Sequence, residues 1–285
     1  MICNLCPRRC GAERTDTPLR RGLRPAGHAG GCPGHAPPVG GALSGGEHGA
    51  GTVFFSGCNL RCCFCQNQPI SRGGVGKAIT PERLRQIFRE LIDQGAACLD
   101  LVTPTHFTPA ILEALGDEVW PVPVVWNCGG YENPETLRQL EGKVQVYLPD
   151  LKYALPGPAK RYSGAEDYFQ WASAAILEMF RQTGPYVMEN GQLKRGVLIR
   201  HLLLPGEMEN TRRCLDFVAE HFQPGEVLVS LMSQYTPQPG AEGNLRRHVT
   251  RAEYRAAVAY MENCGHHRRL YPGANLRQRG VHAGF

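Results

Sequence analysis

Nowhere in the 285 residues does an apolar run reach the roughly eighteen that a membrane-spanning helix needs. The opening, Met1-Ile2-Cys3, lacks the basic and apolar regions of a signal peptide. A strong excess of one charge is missing too, since the formal net charge is only +5. No stripe of alternating aromatic and basic side chains marks a nucleic-acid surface. These absences argue against a helical membrane protein and against a nucleic-acid binder, and they predict a cytoplasmic protein. Residues 1–50 have almost no periodic apolar pattern, so burial of apolar surface alone is a weak reason for that segment to be ordered.

What is present in excess is cysteine, twelve in all. In a reducing compartment these are not expected to pair as disulfides, and the clustered ones are expected to be metal ligands. Three of them, Cys58, Cys62 and Cys65, are spaced C-x3-C-x2-C directly after the apolar run Thr52-Val53-Phe54-Phe55, which reads as a strand. Thiolates at that spacing can hold three irons of a [4Fe–4S] cubane and leave the fourth iron open. Cys63 breaks the spacing and is set aside as a non-ligand. In residues 1–50 a second group, Cys3, Cys6, Cys10 and Cys32, is set among Pro, Gly and Arg. It suits structural zinc, an auxiliary [4Fe–4S] cluster or free thiols, and spacing does not decide among them. The isolated Cys98, Cys128, Cys214 and Cys264 read as small buried hydrophobes.

From residue 51 the pattern alternates. Strand signals fall at 51–57, 97–103, 122–127, 144–149, 196–204 and 226–232. Helical periodicity falls at 81–95, 107–116, 134–141, 168–183, 210–222 and 251–264. Thr80-Pro81-Glu82 and Asn133-Pro134-Glu135 are helix starts with a capping residue before proline. Near-continuous apolar strands separated by helices predict a parallel α/β sheet with helices on its outer face. Three regions follow: a Cys-rich segment at 1–50, a six-unit partial (β/α)6 barrel at 51–265, and a basic tail at 266–285 containing His266-His267-Arg268-Arg269. In such barrels functional groups stand at the C-terminal ends of the strands.

The stretch Ser56-Gly57-Cys58-Asn59-Leu60-Arg61-Cys62-Cys63-Phe64-Cys65-Gln66-Asn67 resembles the cluster loop of the radical S-adenosylmethionine (radical SAM) superfamily. Leu148-Pro149-Asp150-Leu151-Lys152 and Ile199-Arg200 followed by Pro205-Gly206 resemble segments of pyruvate formate-lyase activating enzymes. That resemblance implies a [4Fe–4S] cluster that binds S-adenosylmethionine and cleaves it reductively. The 5′-deoxyadenosyl radical so formed takes hydrogen from a substrate, for which a protein glycine, another peptide or a small molecule all stand. It implies a reducing partner such as flavodoxin or ferredoxin. Asn67 is expected to support the loop or the methionine moiety, or to form a turn. The segment at Thr103 departs from the family's Gly-Gly-Glu run, leaving its backbone to receive the cofactor's amino group. Asn127 suits a ribose or carboxylate, Asp150 and Lys152 face one way into the barrel mouth or form a structural ion pair, Arg200 awaits an anion, and Gln234 is placed on the adenine side. A non-enzymatic iron–sulfur electron carrier and a zinc-stabilised binding module are the competing classes.

Overall fold

The computed structural model describes residues 3–11, 23–25, 49–72 and 75–265. Cys32 and the basic tail at 266–285 lie outside the described residues.

A short strand β1 (Leu23–Pro25) runs antiparallel to β2 (Gly51–Phe55). After β2 come the cysteine loop and a one-turn helix α1 (Gln68–Ser71). Helix α2 (Pro81–Asp93) follows, where the Thr80 side chain accepts the Arg83 amide at 3.2 Å and Leu84, Ile87, Phe88 and Leu91 line the buried face. That i, i+3, i+4, i+7 spacing is the amphipathic stripe read from the sequence. The chain continues through β3 (Leu99–Val102), α3 (Thr108–Leu115), β4 (Val124–Cys128), α4 (Pro134–Arg138) and β5 (Val146–Pro149). Two helices, α5 (Pro156–Ser163) and α6 (Tyr168–Thr183), precede a hairpin of β6 (Val187–Glu189) and β7 (Gln192–Leu202). Helix α7 (Met208–His221), strand β8 (Leu228–Met232) and helix α8 (Arg251–Asn263) complete the fold.

β2, β3, β4, β5, β7 and β8 pair in that order and all in parallel, giving the six-stranded partial barrel with β1 added antiparallel at its outer edge. Every residue of β4, β5 and β8 is buried, because helices cover one face and the barrel interior covers the other. Strand alternation sorts the side chains. Leu99, Leu101, Val124, Trp126, Tyr147, Val197, Ile199, Val229 and Leu231 join the helices in the larger core. Val125, Val146, Leu148, Leu198 and Leu228 form a separate apolar floor inside the barrel. Above that floor, toward the C-terminal strand ends, the inward positions become Asp100, Asn127, Asp150 and Arg200.

Differences from the sequence expectations have local causes. β7 begins at Gln192 rather than 196, since Asn190 and Gly191, both at positive φ, make a tight two-residue hairpin turn that β6 completes. α4 stops at Arg138. α5, absent from the periodic pattern, is a helix with Pro156 at its start and Gly164 in the left-handed conformation at its end. Cys98, Cys128 and Cys214 are buried as expected, whereas Cys264, at the C-cap of α8, is only half-buried.

His201, next to the inward Arg200, points out of the barrel. Its Nδ1 meets the Leu151 carbonyl at 2.6 Å and its Nε2 meets Thr211 Oγ1 at 2.9 Å. Burial lowers its pKa to about 4, with the Leu151 carbonyl opposing. The unfolded chain therefore takes up a proton near pH 6.5 that the folded chain refuses until about pH 4. His201's share of stability is whole above pH 6.5 and is lost as pH falls toward 4. Urea unfolding across that window should show a fall in midpoint on acidification, and His201→Gln should flatten it.

Candidate active site at the barrel mouth

β2 runs directly into the cysteine loop. Gly57 opens it at φ +84, where a β-carbon would approach His106 Nε2 to 3.1 Å. His106 Nε2 in turn lies 2.7 Å from the Ser56 carbonyl, so the histidine braces the loop's first turn. The Gly57 amide donates to Ile70 O at 3.0 Å. The far side of the loop is fixed by the end of α5, where the Arg61 and Cys63 amides donate to the carbonyls of Ser163 and Tyr162 at 3.3 and 2.8 Å. Leu60 is buried and Phe64 packs edge-on against Tyr235, with ring centres 6.2 Å apart.

The sulfurs receive hydrogen bonds from their surroundings. Ser163 Oγ donates to Cys62 Sγ at 2.9 Å, the Leu60 amide donates to Cys58 Sγ at 3.4 Å, and Cys65 Sγ lies 3.3 Å from Ser71 Oγ. Cys63 is exposed. Burial pushes the Cys58 thiol up to about 12 and raises Cys62, while Lys152 acts on both in the opposite sense. Iron bound there would reverse that balance, because a coordinating thiol is deprotonated outright. Among the described residues no three His, Cys, Asp or Glu side chains stand close enough to share a single metal ion. A cubane takes one thiolate on each of three irons, and these three mutually interacting, hydrogen-bonded sulfurs suit that demand.

Beside the loop stands a chain of charges. The Asp150 carboxylate takes both Lys152 Nζ and Arg200, whose Nε is 2.9 Å from Asp150 Oδ1. That Nε contact lies outside hydrogen-bond geometry, so it is an ion pair without a directed bond. Arg200 Nη2 donates to Asn127 Oδ1 at 2.7 Å, and Asn127 Nδ2 donates to Asp100 Oδ1 at 3.1 Å. Burial would raise the Asp150 pKa, but the two cations outweigh it and hold the carboxyl below its usual range. Lys152 is held up by Asp150 against its burial. Asp100 is raised to about 6 by burial, with Asn127 and Arg200 opposing. Lys152 and Arg200 thus face two carboxylates, Asp150 directly and Asp100 through Asn127, so an anionic ligand at the mouth would meet cations that already have partners.

The glycines after β4 keep this space open. A β-carbon on Gly129 would fill the gap between Leu60 of the cysteine loop, at 3.1 Å, and Lys152, at 3.9 Å. One on Gly130, at φ +81, would be driven into the Asp150 carbonyl and within 2.7 Å of the Tyr168 hydroxyl. That hydroxyl bridges the ends of β4 and β5, lying 2.9 Å from Gly129 O, 2.7 Å from Asp150 O and 3.0 Å from the Lys152 amide. Thr103, just past β3, sits at φ +60, a rare conformation for a β-branched residue, and its amide is held by Asn127 O at 2.8 Å. Such strain persists where surrounding structure over-determines it, and it collects at functional sites.

The sequence-predicted residues thus separate. Asn127, Asp150, Lys152 and Arg200 form one hydrogen-bonded and ion-paired group, and Thr103 joins it through its backbone. Asn67 is exposed at the head of α1 and its side chain makes no capping bond. Gln234 is half-buried beyond β8 and makes no hydrogen bond to this group. Tyr235 is a packing residue, its hydroxyl donating to Leu245 O at 2.7 Å. Ser163, Tyr168 and Glu132 were missed. Glu132 is fully buried, accepts from Thr105 Oγ1 at 2.6 Å, and is pushed up to about 8 by burial. The Pro156 and Gly164 bracket of α5 was the available signal for Ser163; nothing local marks the other two.

Residues 45–148 match the model of a family described as a 4Fe-4S single cluster domain. The match takes in the cysteine loop and the strands β2 to β4, and ends within β5, short of Asp150. An uncharacterised protein of Methanocaldococcus jannaschii is 28% identical over 223 residues, 74% of this chain and 61% of the relative. The chain thus spans about three-fifths of that relative. Among solved structures, HydG, a maturase of the [FeFe]-hydrogenase, superposes with a TM-score of 0.50 at 14% identity, over 74% of this chain and 48% of that one. Streptococcus suis SuiB bound to its precursor peptide SuiA gives 0.48 at 12% identity, over 80% and 51%. The chain shares the fold of HydG, over about half of HydG's length. Among the described residues no helix is long and apolar enough to cross a membrane.

Asp150→Ala removes the anion shared by two buried cations. It is expected to lower stability by about 3 kcal/mol or more, read as a lower urea midpoint. Lys152→Met, which leaves the Asp150–Arg200 pair intact, should cost less.

Proposed function

We propose that the protein is a radical SAM enzyme. The observation that carries this reading is the placement of the C-x3-C-x2-C loop at the C-terminal end of the first barrel strand, beside the cationic group of Lys152 and Arg200. The 4Fe-4S family match and the HydG-like fold support it. Cys58, Cys62 and Cys65 would hold the cluster, which with S-adenosylmethionine bound would supply a one-electron cleavage to methionine and a 5′-deoxyadenosyl radical able to take hydrogen from a substrate. The chain's own part is to hold and to shield. Ser163 and the Leu60 amide steady the sulfurs. Lys152 and Arg200 attract the cofactor's carboxylate, and Asp150 keeps both cations in place before it arrives. The backbone at Thr103 and the glycines at 129 and 130 offer polar groups without side-chain bulk. Leu60 and Phe64 exclude water from the cluster side.

An electron carrier would have no use for this charge group, and a zinc-stabilised module would have no use for either feature. Anaerobically reconstituted protein with S-adenosylmethionine and dithionite should release 5′-deoxyadenosine, detected by chromatography, and Cys62→Ala should abolish it. No product from a fully iron-loaded protein would refute the reading.

Within that chemistry, the Asp150-Leu151-Lys152 and Ile199-Arg200 segments favour an activating-enzyme type of reaction, with a glycine of a protein partner as hydrogen donor and flavodoxin or ferredoxin as reductant. Electron paramagnetic resonance of the candidate partner after turnover should show the doublet of a glycyl radical. A signal-free partner alongside normal 5′-deoxyadenosine release would redirect the substrate to another peptide or a small molecule.

A further inference from the structure

Arg8 holds the segment at residues 3–11 against the cysteine loop. Arg8 donates from Nε to the Asn59 carbonyl at 2.8 Å, from Nη1 to Gly164 O at 2.6 Å and from Nη2 to Ser163 O at 3.2 Å. Asn59 directly follows Cys58, and Ser163 is the residue whose hydroxyl bonds Cys62. The Arg8 guanidinium also lies 5.3 Å from the centre of the Tyr131 ring, and Asn133 Nδ2 donates to Asn4 O at 3.2 Å. The segment is therefore docked on the same shell of atoms that shapes the cluster loop.

What it carries there is a second group of thiols. Cys3 and Cys6 are buried and Cys10 is exposed. Cys6 lies within electrostatic reach of both others. Between Cys6 and Cys10 the chain makes a tight turn, with the Arg9 amide on Cys6 O at 3.1 Å and Arg9 itself at φ +40. A left-handed arginine is an unfavourable conformation, and apart from cysteine the segment brings only Leu5 and Pro7 as apolar side chains. Apolar burial is a poor reason for this turn, which lays the Arg9 guanidinium 5.5 Å from the Trp171 ring centre and keeps the Cys10 thiol within electrostatic reach of Cys6.

We propose that Cys3, Cys6 and Cys10 hold a second iron–sulfur cluster, and that it relays electrons to the cluster on Cys58, Cys62 and Cys65. The relay rests on the function proposed above; the metal site does not. Each turnover takes one electron from a low-potential one-electron protein donor into the second cluster, which passes it to the first and returns to its oxidised state. A zinc knob would order its own segment wherever it sat, whereas this one directs its polar clasp at the redox loop.

The test is anaerobic reconstitution of the full chain with iron and sulfide, with metal and acid-labile sulfide counted in wild type, in a Cys3→Ser/Cys6→Ser/Cys10→Ser variant and in a Cys58→Ser/Cys62→Ser/Cys65→Ser variant. Wild type should carry two clusters' worth of iron and each variant half of it. Equal iron in wild type and the first variant, or zinc in place of the second cluster, overturns the proposal. Unchanged iron in the second variant instead refutes the radical SAM reading, so the two failures are distinct. Cys10→Ser, at an exposed position, guards against misfolding: with an unchanged melting curve it should still alter one of two reduced-cluster resonance signals, and a wild-type spectrum counts against the site. For the relay, the first variant should keep dithionite-driven 5′-deoxyadenosine release but lose about tenfold or more of the rate driven by reduced flavodoxin. An equal flavodoxin-driven rate overturns it.

Discussion

The buried carboxylate of Asp150 is the interaction on which the barrel mouth depends. Two cations from different positions, Lys152 two residues on and Arg200 from the neighbouring strand, share it. Taking three charges out of water is costly, and that cost is met only because each finds its partner in fixed geometry. Arg200 then orients Asn127, and Asn127 caps the buried Asp100, so the order of one ion pair spreads across β3, β4, β5 and β7. The Tyr168 hydroxyl ties the backbone ends of β4 and β5 from outside and prevents the group from splaying.

Charge group and cysteine loop meet through Lys152, which acts on the Cys58 and Cys62 thiols as well as on Asp150. A positive group between the cysteine sulfurs and a carboxylate suits the reading proposed above, in which a cluster and a zwitterionic ligand sit side by side. The apolar floor of Val125, Val146, Leu148, Leu198 and Leu228 closes the barrel beneath it. Polar chemistry is thereby confined to the strand ends, as parallel barrels generally require.

Much of this was legible in the chain. The six parallel strands, the caps at Thr80 and Asn133, the inward pairing of Asp150 with Lys152 and the outward turn of His201 all follow from periodicity and capping rules, because each is decided within a few residues. Less legible were features decided over long separations. Ser163 reaches Cys62 across 101 positions. Tyr168 and Glu132 look like ordinary helix and loop residues until the strand ends converge on them. The Asn190–Gly191 turn was available and was passed over, since Val187–Glu189 is too short to show alternation. The sequence leaves Arg200 awaiting a ligand; the fold shows it already paired, so an incoming anion joins an existing group rather than filling a vacancy.

The docking of the cysteine loop on the last carbonyls of α5 has a consequence for upkeep. Small zinc domains commonly fold only when metal binds, so losing the ion means losing the structure. Here the loop's amides are satisfied by Tyr162 and Ser163, and its start is braced by Ile70 and His106, all of them protein groups. Its shape is inherited from the barrel. Were the proposed cluster destroyed by oxygen, the loop would stand as a mould, and repair would be a matter of resupplying iron and sulfide, without refolding the chain.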